Sequence, residues 1–88
     1  MATYSIRYCV RWNYLQHATR LVSELTQHRE YNSQDFHLIE GKQGEFTLWR
    51  DNEKIYDKGD NDFPSGNDII HLLWETNVHE VGQPYIYM

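Results

Sequence analysis

Polar and apolar positions alternate from residue 3 to residue 9, with Tyr4, Ile6 and Tyr8 on one side of an extended chain, and these β-prone types predict a strand. At Cys9 the period changes. From Trp12 to about His28 the apolar residues Leu15, Ala18, Leu21, Val22 and Leu25 fall three and four positions apart, which predicts a helix with one buried stripe. The polar stretch 29–34 reads as loop. Phe36-His37-Leu38-Ile39 and Phe46-Thr47-Leu48-Trp49 read as strands around the link Gly41-Lys42-Gln43-Gly44, and Asp51-Asn52-Glu53 turns the chain into a further strand at Lys54-Ile55-Tyr56. The run 57–62 is polar and reads as a solvated loop. Phe63-Pro64-Ser65 opens a second helix with Ser65 as N-cap, Asp68 as the acid of a capping box and Asn77 as the stop. Its apolar face is Ile69, Ile70, Leu72, Leu73 and Trp74.

The order β-α-β-β-β-α predicts a two-layer α/β sandwich with a four-stranded mixed sheet and both helices on one face. Strand order stays open at this point, because a short glycine-bounded link between the second and third strands suits a hairpin as well as a crossover. The 88 residues fill one small domain with a thin core, assigned to residues 1–77. Residues 78–88 form a C-terminal tail ending in Tyr85-Ile86-Tyr87-Met88, an apolar terminus for so small a domain.

Composition narrows the function classes. One cysteine excludes an internal disulfide framework and a cysteine-rich zinc site, and the lack of a signal-peptide pattern predicts a cytoplasmic protein. No stretch has the length of a membrane span. Eight Lys and Arg against thirteen Asp and Glu give a net charge of −5, which disfavours nonspecific attraction to nucleic acid or anionic lipid. None of the five histidines stands four residues from another His or Cys, and Asp57, Asp60 and Asp62 lack the bidentate glutamate of a calcium loop. No metal is expected. Phosphate-cradling loops and nucleophile elbows are also missing from the sequence.

Chemistry is therefore sought at Cys9. A thiol where a strand hands over to a helix stands near unpaired N–H groups and the positive end of the helix dipole, which favour thiolate. A dithiol site needs a second sulfur three residues on. Here the run is Cys9-Val10-Arg11-Trp12, with an indole in that place. Read from the residues, Cys9 is either a reactive thiol or a small buried hydrophobe, Arg11 either an activating charge or a solvated arginine, and Trp12 either a docking surface or a core anchor.

Several linked segments give this chain a family likeness. Tyr8-Cys9, Tyr14-Leu15, Ala18, Glu24-Leu25, Gly41-Lys42-Gln43-Gly44-Glu45-Phe46, the stretch from Asp51 to Lys58, and Phe63-Pro64 occur in order and at the spacing of one family. From Ile6 to Leu73 the sequence resembles the selenoprotein W-like (Rdx; SelT/SelW/SelH) family of small thioredoxin-like proteins. The resemblance implies that the third strand lies beside the first, so that Gly41 to Gly44 is a crossover. It also implies thiol redox exchange at a Cys-x-x-Cys or Cys-x-x-selenocysteine pair, of which this chain keeps Cys9 and has Trp12 at the second position.

Two functions follow. One is a monothiol redox protein, exchanging or sensing through Cys9 by a mixed disulfide with glutathione or a protein partner, with Val10, Arg11, Trp12, Phe63 and Pro64 shaping the site. The other is a non-catalytic thioredoxin-fold module that binds a protein through the aromatic surface around Trp12 and the tail. No cofactor is expected beyond a glutathione adduct at Cys9. The tail, with Trp74 or Trp49, is a candidate homodimer contact or a segment that folds back on the sheet edge.

Overall fold

The computed structural model describes residues 3–80, with side chains as far as Glu75. Its elements are strand β1 (Tyr4–Tyr8), helix α1 (Leu15–Leu25), a 3-10 turn (Ser33–Asp35), strands β2 (Phe36–Glu40), β3 (Phe46–Arg50) and β4 (Glu53–Asp57), and helix α2 (Gly66–Glu80). The sheet order is β2-β1-β3-β4, with β1 parallel to β2 and antiparallel to β3, and β4 antiparallel to β3. A parallel pair requires a crossover, which α1 supplies. Because β1 lies between β2 and β3, the link 41–45 has to pass the end of β1. This is the crossover that the family likeness implies, not the hairpin.

Register explains the core. Ile6 lies opposite Leu38 on one side and Leu48 on the other, and Tyr4 lies opposite Phe36, so these side chains share a sheet face. Ala18, Leu21 and Leu25 of α1 and Ile69, Ile70 and Leu73 of α2 join Tyr4, Ile6, Phe36 and Leu48 in a single buried cluster, which puts both helices on that face. Each such side chain contributes about 1.5–3 kcal/mol by leaving water. The opposite face is closed by polar contacts. Arg7 stacks its guanidinium 4.0 Å over the Trp49 ring, Trp49 Nε1–H donates to Thr47 Oγ1 at 2.9 Å, and the Thr47 hydroxyl donates to Glu45 Oε2 at 2.8 Å. Thr47 is buried as a result.

Several boundaries differ from the periodicity reading. Helix α1 begins at Leu15, not Trp12, because Asn13 sits at φ 61, a left-handed conformation that no helix propagates through. It ends at Leu25, short of His28, and Leu15 is exposed instead of joining the buried stripe. Helix α2 passes Asn77 and runs to Glu80, since asparagine is a weak helix former and not a breaker. Lys58 belongs to no solvated loop; it is buried. The tail residues Tyr85, Ile86, Tyr87 and Met88 lie outside the described residues. Among the described residues no helix is long and apolar enough to cross a membrane.

The two helices are tied by one carboxylate. Gly66 N–H, at the start of α2, donates to Glu24 Oε1 at 2.6 Å, and Arg20 Nε–H donates to Glu24 Oε2 at 3.0 Å. Only glycine allows this approach, because a Cβ on residue 66 would come 2.6 Å from Glu24 Cβ. The capping box read from the sequence forms beside it: Asp68 N–H donates to Ser65 Oγ and Ser65 N–H to Asp68 Oδ2, each at 3.1 Å. The Gly66 N–H, then the Arg20 side chain, hold the Glu24 carboxyl below its ordinary pKa of 4.5. A lowered folded-state pKa adds stability that is complete above the ordinary value and lost as pH falls through the lowered one. In urea titrations Glu24→Gln is therefore expected to be less stable than the wild type near neutral pH, and the difference should shrink as pH falls below the ordinary carboxylate value and through the lowered one. A difference independent of pH would show that the Glu24 charge is not what ties the helices.

Candidate functional site

Cys9 follows β1 directly and opens a closed turn. Its carbonyl accepts the Tyr14 N–H at 3.0 Å and the Val10 carbonyl accepts the Asn13 N–H at 3.0 Å. With Asn13 left-handed, these two bonds are the pattern of a Schellman motif, which normally stops a helix. The turn is therefore complete before α1 starts. Trp12 N–H donates to Cys9 Sγ at 3.3 Å. The expectation of a thiol at the dipole end of α1 is corrected here, because the N–H that reaches the sulfur belongs to the turn and Asn13 separates that turn from the helix.

The sulfur is buried and the apolar side chains that follow it are open. Cys9 is 1% exposed, whereas Val10 and Trp12 are each 52% exposed and Leu15 is 43% exposed. Arg11 is exposed as well. Trp12 rests on the β2–β3 link: a Cβ at Gly44 would come 3.0 Å from Trp12 Cζ3, and Gly44 has φ 79. Both the close approach and the left-handed backbone favour glycine there. The link itself is held by Glu45, whose carboxylate accepts the Lys42 N–H at 2.9 Å and the Thr47 hydroxyl. Burial pushes the Glu45 carboxyl up, but these two bonds and the charges of Arg7 and Lys42 outweigh it and keep the pKa below the usual value.

Aromatic rings connect the turn to the segment before α2. Trp12 meets Tyr14 edge-on at 6.0 Å, and Tyr14 meets Phe63 edge-on at 4.7 Å. Phe63 also packs edge-on against Phe46 at 5.1 Å and face to face with His17 at 3.7 Å. Lys58 Nζ lies 4.8 Å from the Phe63 ring centre and 5.7 Å from that of Tyr14, and donates to the Gly59 carbonyl at 3.3 Å. Of the residues singled out from the sequence, Cys9, Val10, Arg11 and Trp12 share one turn. Phe63 reaches that turn through Tyr14, and Pro64 is half-buried next to Phe63.

Sequence reading missed Tyr14, His17, Gly44 and Lys58 as members of this cluster. Tyr14 had a signal, since it stands four residues before Ala18 and seven before Leu21 on the buried stripe. Lys58 had none, because a lysine between Asp57 and Gly59 looks like any solvated cation. Among the described residues no three His, Cys, Asp or Glu side chains converge to hold a metal ion. The arrangement is a buried thiol that accepts the Trp12 N–H, in a turn whose Val10 and Trp12 side chains are exposed.

No curated protein matches the chain. Among solved structures, a protein from Bordetella parapertussis has a TM-score of 0.71 at 20% identity, covering 85% of this chain and 96% of that one. A selenoprotein W-related protein from Vibrio cholerae has a TM-score of 0.71 at 18% identity, covering 85% and 95% respectively. These two likenesses speak for the fold, a thioredoxin-like two-layer sandwich. The sequence itself matches the Rdx family over residues 3–75, and the chain belongs to that family.

Proposed function

We propose that this chain acts as a protein-binding module on a redox-family fold, with a partner docking on Val10, Arg11, Trp12 and Leu15 and no thiol turnover beneath them. The observation that carries this reading is the inversion of exposure at the site: the sulfur is enclosed while the side chains around it are open. Half-exposed tryptophan beside aliphatic side chains is typical of interface centres. Arg11 adds one cation at its edge, so the matching partner is an apolar segment that also carries a carboxylate. A mixed disulfide formed at Cys9 would have no neighbouring thiol to resolve it, since Trp12 stands at the second redox position.

One observation favours the monothiol reading, namely the Trp12 N–H aimed at Cys9 Sγ. A thiolate there would accept that bond. If the turn opened, the thiolate would attack one sulfur of glutathione disulfide, form the Cys9–glutathione disulfide and expel the other sulfur as glutathione thiolate. An external thiol would then have to release Cys9.

Iodoacetamide labelling separates the readings. The docking reading expects native Cys9 to react slower than the urea-unfolded chain by on the order of 100-fold, as for a group that reacts only through local opening. Native labelling at the unfolded rate would reject it in favour of the monothiol. Gly44→Ala should lift Trp12 from its seat, accelerating native labelling severalfold and lowering stability by about 1–3 kcal/mol in urea. An unchanged rate would mean that Trp12 does not guard the thiol. For function itself, immobilised Cys9→Ser is expected to retain the same captured partner as the wild type, and Trp12→Ser to lose it. The opposite pattern would assign the activity to the sulfur.

A further inference from the structure

The two edges of the sheet are built differently. At one edge β4 carries Lys54, paired with Asp57 at 3.2 Å, and its register against β3 shifts between Leu48 and Trp49. A lysine and a bulge are the usual means of keeping an edge strand from pairing with another chain. The other edge has neither. Strand β2 runs in unbroken register with β1 from Phe36 to Glu40, contains no lysine or proline, and exposes Leu38 on the helix side and Ile39 on the other, at 37% and 41%.

Among the described residues no strand lies on the outer side of β2, and the direction of its backbone groups there follows from one bond. Gly41 N–H donates to the Tyr8 carbonyl at 2.8 Å, so the odd-numbered residues of β2 turn their N–H and C=O toward β1. Leu38 and Glu40 therefore present both groups outward, and Phe36 presents its carbonyl, its N–H being bonded to the Ser33 carbonyl. We propose that β2 pairs antiparallel with β2 of a second copy of this chain, about a two-fold axis at Leu38 normal to the sheet. Such an axis keeps each sheet face on its own side, so it sets Leu38 opposite Leu38 and Phe36 opposite Glu40 of the second copy. Leu38 and its twin exchange both N–H···O=C bonds, and at each end the Glu40 N–H of one copy donates to the Phe36 carbonyl of the other.

Side chains agree with the same register. Leu38 meets its twin on the helix side, next to Phe36, so the apolar core continues across the seam. On the opposite face His37 meets Ile39. Glu40 meets Phe36, so no like charges stand directly opposite each other even though each chain carries a net −5. This self-complementarity selects a second copy over an unrelated peptide as the occupant. A five-residue strand pair belongs to the small interfaces of less than roughly 1,200 Å² in total, so the dimer is a weak and reversible one. The proposal does not rest on the docking surface at Trp12.

Sedimentation velocity on the full chain, from about 5 to 500 µM, should show monomer passing into dimer. Leu38→Lys sets two ammonium groups together at the axis and is expected to weaken the dimer at least tenfold with an unchanged circular dichroism spectrum, while Trp74→Ser on exposed α2 leaves it intact. Hydrogen exchange on the wild type supplies a readout that needs no variant. The amides of Leu38 and Glu40 should slow as concentration rises, and those of His37 and Ile39, already bonded to β1, should not. A chain that stays monomeric throughout overturns the proposal. So does a dimer that survives Leu38→Lys or is lost in Trp74→Ser, and so does protection of Leu38 and Glu40 at every concentration, which would place a segment of the same chain on this edge.

Discussion

Strand β1 is hydrogen-bonded on both sides, parallel to β2 and antiparallel to β3, so the crossover from β1 to β2 and the link from β2 to β3 have to go around its ends. At its carboxyl end two segments compete for the same space: the turn that carries the chain from Cys9 to α1, and the link that carries it from β2 to β3. They fit together through one contact, the Trp12 indole lying on the backbone of Gly44. A side chain at residue 44 would push the ring away, and a small residue at position 12 would leave the link uncovered.

The closed turn decides which chemistry the site offers. Had the helix begun directly after Cys9, its free N–H groups would have pointed toward the sulfur. Asn13 in the left-handed region ends the turn first, and the carbonyls of Cys9 and Val10 are consumed in doing so. One N–H, that of Trp12, is left to reach the sulfur. The indole at the second redox position takes the place of the group that would resolve a mixed disulfide there.

Polar groups do much of the positioning in so thin a domain. Glu24 joins α1 to the start of α2, Glu45 pins the link, and Lys58 sits over two aromatic rings, each holding an irregular segment against the sheet. Irregular segments carry backbone groups that strands and helices would otherwise satisfy, and side chains near the ends of elements take over that role. For this reason their substitution is expected to loosen the site before it unfolds the domain.

Local periodicity was enough to identify every strand and both helices, because alternation at Tyr4, Ile6 and Tyr8 and the three-four spacing from Ala18 to Leu25 depend only on which side of an element faces the core. The Ser65–Asp68 cap was legible for the same reason, since its partners are three residues apart. Strand order was not legible from periodicity: a five-residue link serves a hairpin or a crossover equally, and only the pairing of β1 with β3 decides. The state of Cys9 was likewise beyond the reach of the chain order. Its surroundings include a Trp12 that meets Gly44, far away in sequence, and a left-handed Asn13 that a helical pattern passes over; contacts of that kind exist only once the sheet has brought its loops together.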